Sequence, residues 1–291
     1  MSENRDVFLR SVGSLFDRFH NGRLTDQDYT DVSAVDARIH PEHVDWLVTS
    51  KAIVEPDVIP FRWLDDPATV ILDVGAHLGY TAATLRNLPT RNFVHSLEPV
   101  TLYNPMLARL AELDPKYSFS NVACSDKSET CSAYNLIVNG GLIGGTTTID
   151  GATFHKSLSE YLTTRIGESW LPVCDSYDAR LLRFTFETRP LDCIVSSWEH
   201  LGRRISGLKI DVEGHEHQTI AGAGKVLTEH KPLLMIETSD HPRMTASLEP
   251  LGYVPYERVD NKIRPMVTPY YNAYFVHRDQ VYAYKALGLI A

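Results

Sequence analysis

The feature that most constrains the fold of this 291-residue chain is a glycine-containing turn between an apolar run and a helix. Residues 69–74 (Thr-Val-Ile-Leu-Asp-Val) are mostly apolar, which is typical of a parallel strand buried on both faces. Residues 73–79 (Asp-Val-Gly-Ala-His-Leu-Gly) lead into a helical pattern over 79–88. Glycines at such a turn let the backbone bend tightly and let N–H groups at the helix start approach a ligand. We therefore predict a strand–turn–helix unit with a ligand site at its turn.

Segments of strand and helix character alternate along most of the chain. Further strands are predicted at 92–97, 117–124, 208–212, 233–238, 253–259 and 273–277, and further helices at 102–113 and 215–229. This alternation predicts an α/β fold, with a mostly parallel sheet and helices on both faces. Residues 131–206 break the alternation and are predicted to be an insertion with some extended structure. Residues 1–65 are predicted to form a helical N-terminal region, which leaves 66–291 as the main domain.

Charge and cysteine content restrict the partners and the compartment. Lys and Arg number 28 against 37 Asp and Glu, so the basic surplus typical of nucleic-acid-binding proteins is missing. The four cysteines include no C-x-x-C pair, which favours reduced thiols over a zinc site. The N-terminal segment lacks an apolar signal core, and no apolar run reaches the ~20 residues that a membrane helix needs. We expect a cytoplasmic protein with neither a nucleic-acid nor a membrane partner.

The turn at 73–79 differs from the dinucleotide-binding fingerprint. That fingerprint needs glycine at position 77 and glycine or alanine at position 80, where this chain has His77 and Tyr80. The side chain of His77 would obstruct the close approach of a pyrophosphate, so NAD and FAD are disfavoured. A phosphate-binding Walker A loop is also absent, because Val226 stands where Ser or Thr would contact Mg²⁺. A cofactor without a diphosphate is favoured.

A second signal is the acidic residue that ends the second predicted strand. Glu98 precedes Pro99 and lies about 20 residues after Gly79. A carboxylate at this position can accept hydrogen bonds from both hydroxyl groups of a ribose. The turn and Glu98 therefore both predict a nucleoside in one crevice, because ligands of open α/β sheets bind beyond the carboxyl ends of the strands.

Four short runs together resemble the FkbM family of S-adenosylmethionine-dependent methyltransferases. They are Asp-Val-Gly-Ala-His-Leu-Gly-Tyr (73–80), Glu98-Pro99, Leu-Lys-Ile-Asp-Val-Glu-Gly-His-Glu (208–216) with Ala-Gly-Ala (221–223), and Arg-Pro-Leu-Asp (189–192). The third run is the most family-specific. This chain departs from the family pattern at His77, where asparagine is usual, and in its longer insertion.

The resemblance implies a Rossmann-like class I methyltransferase fold with a seven-stranded, mostly parallel sheet and one antiparallel strand near the C-terminus. It implies S-adenosylmethionine as cofactor and a hydroxyl group of a small molecule, such as a sugar or another secondary metabolite, as methyl acceptor. By motif match, Gly75, Ala76 and Gly79 would face the amino-acid end of the cofactor, Glu98 its ribose and Asp126 its adenine. The complete set of implied cofactor contacts is Asp73, Gly75, Ala76, His77, Gly79, Tyr80, Glu98, Pro99, Asp126 and Asp211.

Methyl transfer to an alcohol also needs a base, which typically accelerates a reaction about 10²–10⁴-fold. The candidates follow the fourth strand: Asp211 is predicted to contact methyl donor or acceptor, and Glu213 or His215 to take the proton. A polar first helical turn is the alternative interpretation of His215. Asp211, Glu237 and a histidine would suit Mg²⁺, but ligand geometry does not follow from sequence, so no metal site is predicted.

Several alternatives stay open. The acceptor could be a small amine, or the protein could bind a nucleoside without catalysis. The N-terminal region is predicted to close the acceptor pocket or to form a homodimer contact. Aromatic side chains that could stack on an acceptor are Trp63, Trp170, Trp198 and the tyrosines of 270–274, although core packing is the commoner role of aromatic residues.

Overall fold

The computed structural model describes residues 2–30, 42–142, 177–198, 202–268 and 270–291. The helices are α1 (Ser2–His20), α2 (Glu42–Thr49), α3 (Tyr80–Asn87), α4 (Asn104–Leu113), α5 (Leu191–Ser196), α6 (Glu216–Ala221), α7 (His241–Leu248) and α8 (Val281–Leu287). The strands are β1 (Tyr29–Thr30), β2 (Thr69–Val74), β3 (Phe93–Leu97), β4 (Tyr117–Ser120), β5 (Ala123–Ser125), β6 (Glu129–Val138), β7 (Gly141–Leu142), β8 (Ala179–Pro190), β9 (Arg204–Ile210), β10 (Leu233–Glu237), β11 (Tyr253–Val259), β12 (Lys262–Pro265) and β13 (Asn272–His277).

The chain forms two compact units, one from Met1–Ile39 with Cys131–Thr185 and the other from His40–Thr130 with Phe186–Ala291. The division near residue 39 differs from the predicted boundary at residue 65. The reason is that the segment Pro56–Leu64, a run of 3-10 turns, packs on the sheet of the second unit. A Cβ on Gly207 of β9 would lie 2.7 Å from the ring of Phe61, so glycine at this position permits the close packing.

The second unit is built on an eight-stranded sheet in the order β12-β11-β13-β10-β9-β2-β3-β4. The five strands β10, β9, β2, β3 and β4 run parallel, whereas β13 runs antiparallel to both β10 and β11. All six residues of β2 are buried, which indicates cover on both faces. Helices α5, α6 and α7 contribute to a core beneath β2, β9 and β10 that includes Leu72, Leu208 and Ile236.

The prediction of seven strands is wrong by one. The eighth strand, β12, forms a hairpin with β11 across Asp260, whose φ is +55°. This strand is short and polar, and Pro265 can sit in it because β12 is an edge strand that pairs with β11. Neither length nor periodicity distinguishes such a segment from a loop.

Two other predicted elements differ in their bounds. The predicted strand 117–124 is two strands, β4 and β5, of which β5 pairs with β8 instead of β3. The predicted helix 215–229 ends as an α-helix at Ala221 and is followed by a π-helical turn over Val226–His230. At the break, a Cβ on Gly222 would lie 1.9 Å from the carbonyl oxygen of Ser125, so the chain needs glycine there.

The first unit combines α1 with extended structure. Its core is formed by the apolar face of α1, which carries Phe8, Val12 and Leu15, against Leu136 of β6 and Leu181 of β8. The predicted insertion 131–206 contains most of β6, all of β7, β8 and α5, and the start of β9. Parts of it (143–176 and 199–201) lie outside the described residues. Within the described ranges, no helix combines the length and apolar character needed to cross a membrane.

Candidate active site

A cavity opens at the carboxyl ends of β2, β9 and β10, beside the first residue of β13. Outside the turn, its polar lining residues are Glu55, Tyr80, Thr81, Lys209, Asp211, Glu237 and Asn272. The predicted turn forms another part of its wall through the segment Gly75–Leu78. The cavity lies at the edge of the sheet where the sequence predicts a ligand site.

The turn after β2 is a sharply bent backbone segment with three left-handed residues. Gly75, His77 and Gly79 have φ values of +84°, +50° and +80°. A Cβ on Gly75 would lie 1.7 Å from the carbonyl oxygen of Asp211, so this glycine lets the turn pack against the end of β9. His77 takes a conformation that histidine tolerates better than most non-glycine residues. Burial lowers the pKa of His77 to about 4, so its ring is neutral near physiological pH.

Glu98 ties this turn to the end of β3. Its Oε2 accepts a hydrogen bond from the backbone N–H of His77 at 2.8 Å, and its Oε1 accepts one from Val100 at 2.8 Å. The side chain is buried, and burial raises its pKa to about 7 despite these donors. Each carboxylate oxygen retains a second acceptor direction, which a hydroxyl group could use. Glu98 lies behind the turn and is not among the residues that line the cavity.

A buried lysine links the ends of β2 and β9. The Nζ of Lys209 donates to the carbonyl oxygen of Gly75 at 2.8 Å and lies 3.3 Å from both Asp73 Oδ1 and Asp211 Oδ2. Burial opposes the charge of Lys209, but the two carboxylates outweigh it and raise its pKa above the ordinary value. Asp73 is fully buried and also accepts from Ser96 Oγ at 3.0 Å. Sequence analysis did not select Lys209, although a lysine between Leu208 and Ile210 in an apolar strand is an anomaly that signals it.

Asp211 and Glu237 form a carboxyl pair in the cavity. Both side chains line the cavity, and each shifts the pKa of the other. Burial, together with the negative charge of Asp211, raises the pKa of Glu237 to about 8. Burial also disfavours the charge of Asp211, but the ammonium group of Lys209 prevails and lowers its pKa. Near neutral pH, Glu237 therefore carries the proton and Asp211 the negative charge.

The segment after β9 separates the three predicted catalytic residues. Asp211 lines the cavity, and Glu213, which is exposed with a φ of +53°, adds negative charge near Glu237. His215 is not in the cavity wall. Buried Glu216 holds the intervening turn, because its Oε1 accepts from the N–H groups of Val212 at 3.2 Å and Gly214 at 3.0 Å.

His215 and the predicted adenine contact Asp126 meet at a different place, the end of β5. The Nε2 of His215 lies 3.0 Å from Ser125 Oγ, which in turn donates to Asp126 Oδ1 at 3.1 Å. Partial burial lowers the pKa of His215. The serine lies between the histidine and the carboxylate, so these three side chains are not arranged as a nucleophile–base–orienter triad.

A network behind the cavity fixes two further lining residues that sequence analysis missed. Asn272 Nδ2 donates to Asp57 Oδ2 at 2.7 Å, and Arg258 Nε lies 2.9 Å from Asp57 Oδ1. The backbone carbonyl of Asp57 also accepts from the hydroxyl group of Tyr274. These contacts join the segment that carries Glu55 to β13. Burial raises the pKa of Glu55, which faces the same cavity.

The other predicted side chains lie elsewhere. Trp63 donates its indole N–H to the carbonyl oxygen of Asn261 at 2.7 Å, and Trp198 packs on the ring of His95 at 4.3 Å. Trp170 lies outside the described residues. Among the described residues, no three His, Cys, Asp or Glu side chains are grouped so that they could hold a metal ion. The carboxylate of Asp211 is paired with the ammonium group of Lys209 at 3.3 Å.

Comparisons with known proteins identify the family. The sequence model of the methyltransferase FkbM domain matches residues 73–255. A crystal structure of methyltransferase FkbM from Methylobacillus flagellatus resembles this chain with a TM-score of 0.42 at 14% identity. That match covers 72% of this chain and 44% of the other, so the chain spans less than half the length of this relative. No curated protein matches the sequence. The domain match extends over more than half of the residues, and the chain therefore belongs to the FkbM methyltransferase family.

Proposed function

We propose that this protein transfers a methyl group from S-adenosylmethionine to a hydroxyl group of a small molecule, such as a sugar or another secondary metabolite. Family membership supports methyl transfer in general. The observation that carries the finer proposal is that the interacting carboxyl groups of Asp211 and Glu237 both line the cavity beside the turn at 75–78. A hydroxyl group becomes a good nucleophile only when such a base removes its proton.

The residues present fit the cofactor by charge and by hydrogen-bonding capacity. S-adenosylmethionine, when bound, supplies an electrophilic methyl group on a positively charged sulfur. The carboxyl groups of Glu55, Asp211 and Glu237 face the cavity, where their oxygens can accept hydrogen bonds and, where ionised, attract a cation. The turn from Gly75 to His77 and the side chain of Tyr80 would hold the amino-acid end. Glu98 does not line the cavity, but its carboxylate is bonded to the lining residue His77 and would hold the ribose through its second acceptor directions. Asp126 remains the proposed adenine contact.

We place the base at Glu237 and not at Glu213 or His215. Glu237 is half-buried beside Asp211, whereas Glu213 is exposed and His215 is bonded to Ser125. Once ionised, Glu237 accepts the acceptor's proton on a carboxylate oxygen, and its raised pKa makes it a stronger base than an ordinary glutamate. Asp211 stays ionised because Lys209 is paired with it, and its negative charge raises the pKa of Glu237.

The test has two stages. Calorimetric titration with S-adenosylhomocysteine and with NAD should show binding of the first only. Isotope-labelled donor is then offered to a panel of sugars, phenols and amines, and label in a hydroxyl-bearing product supports the proposal. Absence of S-adenosylhomocysteine binding, with no effect of Glu98→Ala, would refute the cofactor assignment. Binding without turnover for any acceptor would favour a non-catalytic nucleoside-binding protein.

A second candidate function is methyl transfer to a small amine. The carboxyl groups of Glu55, Asp211 and Glu237 favour it, because an amine could donate hydrogen bonds to their oxygens. A neutral amine is a nucleophile without help from a base. Glu237→Gln should therefore slow amine methylation only slightly, whereas it should slow hydroxyl methylation by about 10²–10⁴-fold.

A further inference from the structure

One carboxyl group of the candidate active site takes no part in the proton transfer described above. Glu55 lines the cavity together with the turn at 75–78 and the start of α3. We propose that Glu55 binds the α-ammonium group at the amino-acid end of S-adenosylmethionine. The proposal rests on the proposed function, which it deepens by assigning this part of the cofactor to a residue outside 73–255, the part of the chain that the family model matches.

The carboxylate of Glu55 has no partner among the described residues. The hydrogen bond that Glu55 does make is a backbone one, in which its N–H donates to Thr84 Oγ1 at 3.2 Å. The other two lining acids are occupied: Asp211 is paired with Lys209 at 3.3 Å, and Glu237 carries a proton near neutral pH. A half-buried carboxylate without a donor is costly to the free protein, so it marks a place where a ligand donates.

Glu55 can hold a cation because a bound ammonium group favours its ionised form. Burial raises the pKa of Glu55, the nearby ammonium group of Lys209 opposes that rise, and Asp211, Asp57 and Asp73 add to it. A positive charge at hydrogen-bond distance lowers the pKa of a carboxyl group. A bound α-ammonium group would therefore keep Glu55 ionised, and the two charges would form a charge-assisted hydrogen bond.

Glu55 lies on the side of the cavity where the amino-acid end is proposed to bind. Its backbone bond to Thr84 ties it to α3, the helix that begins directly after the glycine turn. The charge of Glu55 also adds to the effect of burial in raising the pKa of Tyr80, the first residue of α3. Tyr80 and Thr81 line the cavity themselves. Glu55 therefore stands beside the first turn of α3.

The start of α3 complements Glu55 in charge. The helix begins after Gly79, which provides no side-chain cap, and its first turn contains no acidic residue. N–H groups in the first turn of an α-helix have no partner within the helix and favour a negative charge. An α-amino acid carries one carboxylate and one ammonium group. Its carboxylate suits the start of α3, and its ammonium group suits Glu55 beside it.

Asp73, a cofactor contact implied by the sequence motif, lies behind the cavity wall. It is fully buried, accepts from Ser96 Oγ at 3.0 Å and lies 3.3 Å from Lys209 Nζ. It is not among the described residues that line the cavity. Of the described lining acids, Glu55 is therefore the one whose carboxylate is left for a cation of the ligand.

The test compares two ligands that differ in one group. S-adenosylhomocysteine, which has the same amino-acid end as the cofactor, and its deamino analogue, which lacks only the α-amino group, are titrated calorimetrically into the full chain near neutral pH. The wild type should bind S-adenosylhomocysteine about tenfold or more tightly, the factor expected for one hydrogen bond between charged groups. Glu55→Gln should remove this preference by weakening the binding of S-adenosylhomocysteine and not that of the analogue. Glu55→Asp, which keeps the charge on a shorter side chain, should retain more of the preference than Glu55→Gln.

Two variants serve as controls. Glu237→Gln removes no charge near neutral pH, because Glu237 is protonated there, and should leave the preference intact. Glu229→Gln removes a charge from an exposed residue outside the cavity wall and should change neither affinity. A structural effect of Glu55→Gln would weaken both ligands equally, so the ratio of the two dissociation constants separates recognition from folding. Because the carboxylate of Glu55 has no donor among the described residues, Glu55→Gln should melt at the wild-type temperature or above it.

The outcomes distinguish this proposal from the proposed function. Equal binding of the two ligands to the wild type, or an undiminished preference in Glu55→Gln, overturns the role of Glu55 and leaves the cofactor assignment standing. If neither ligand binds, the cofactor assignment fails and the role of Glu55 fails with it. If both ligands bind and Glu55→Gln weakens S-adenosylhomocysteine alone, the proposal stands.

Discussion

Replacement of Lys209 by methionine should destabilise the protein more strongly as the pH rises. The side chain of Lys209 is 4% exposed, and its ammonium nitrogen lies 3.3 Å from a carboxylate oxygen of Asp73 and from one of Asp211. Methionine has a similar shape but no charge. Removal of one partner from a buried ion pair typically costs about 3–5 kcal/mol, because the remaining charge is left without compensation.

The magnitude has an upper limit, since a stranded carboxylate can bind a proton. Protonation of an aspartate with an ordinary pKa near 3.9 costs about 5 kcal/mol at about pH 7.5 and about 2 kcal/mol at about pH 5.5. In the variant the folded-state pKa of this carboxyl group is raised above its unfolded value. The destabilisation therefore grows with pH and shrinks as the pH falls towards the unfolded pKa. In the wild type, the pKa of Lys209 is raised, so the lysine stays charged at both pH values and stabilises the fold equally at both.

Urea unfolding at these two pH values measures the effect. The expected loss of unfolding free energy is about 3–5 kcal/mol at the higher pH and about 2 kcal/mol at the lower pH. Lys285→Met is the control, because Lys285 is exposed on α8 and such surface changes usually stay within about 0.5 kcal/mol. A loss below 1 kcal/mol at the higher pH, or an equal loss at both, would refute the reasoning.

Three further predictions concern the site. The rate of hydroxyl methylation by the wild type should rise with pH through an apparent pKa near 8, because Glu237 must lose its proton to act as base. Glu237→Gln should abolish this rise and reduce kcat about 10²–10⁴-fold. A rise that persists in the variant would contradict the assignment. Gly75→Ala should lower the melting temperature far more than the control Gly214→Ala. Both glycines have positive φ, but only at Gly75 would the added Cβ lie 1.7 Å from a carbonyl oxygen, that of Asp211. Similar melting curves for the two variants would refute this. Glu98→Ala should weaken S-adenosylhomocysteine binding at least tenfold by calorimetry, and unchanged binding would show that Glu98 does not hold the ribose.

The parallel part of the sheet was predictable because its strands are buried on both faces. Such strands appear as apolar runs that end in polar or glycine residues, as Thr69–Val74 does before Gly75. The edge elements were not predictable in the same way. Lys262–Pro265 is short, partly exposed and polar, so only its pairing with β11 makes it a strand. The Asp260 turn was the local signal for this hairpin.

Some candidate site residues could also be predicted from the sequence, and others could not. Gly75, Asp211 and Tyr80 could be selected because they stand at strand ends or helix starts, where the α/β topology places ligands. Glu55 and Asn272 could not be selected in this way. Glu55 is more than 180 residues from Glu237 in sequence, and Asn272 lies on a different strand, β13, so only the folded chain brings the three residues together. The partner of His215 was equally hidden, since Ser125 lies on a strand that pairs with β8.

By itself, the sequence determined the strand–turn–helix unit and the carboxyl groups that stand at one edge of the sheet, where it predicts a ligand site. These follow from local periodicity and from backbone sterics at glycine, which act over a few residues. Only the tertiary structure decided which carboxyl group holds a proton and which stays charged. A pKa depends on burial and on charges within a few ångströms, and the lysine that sets the state of Asp211 is brought to Asp73 by the pairing of β9 with β2.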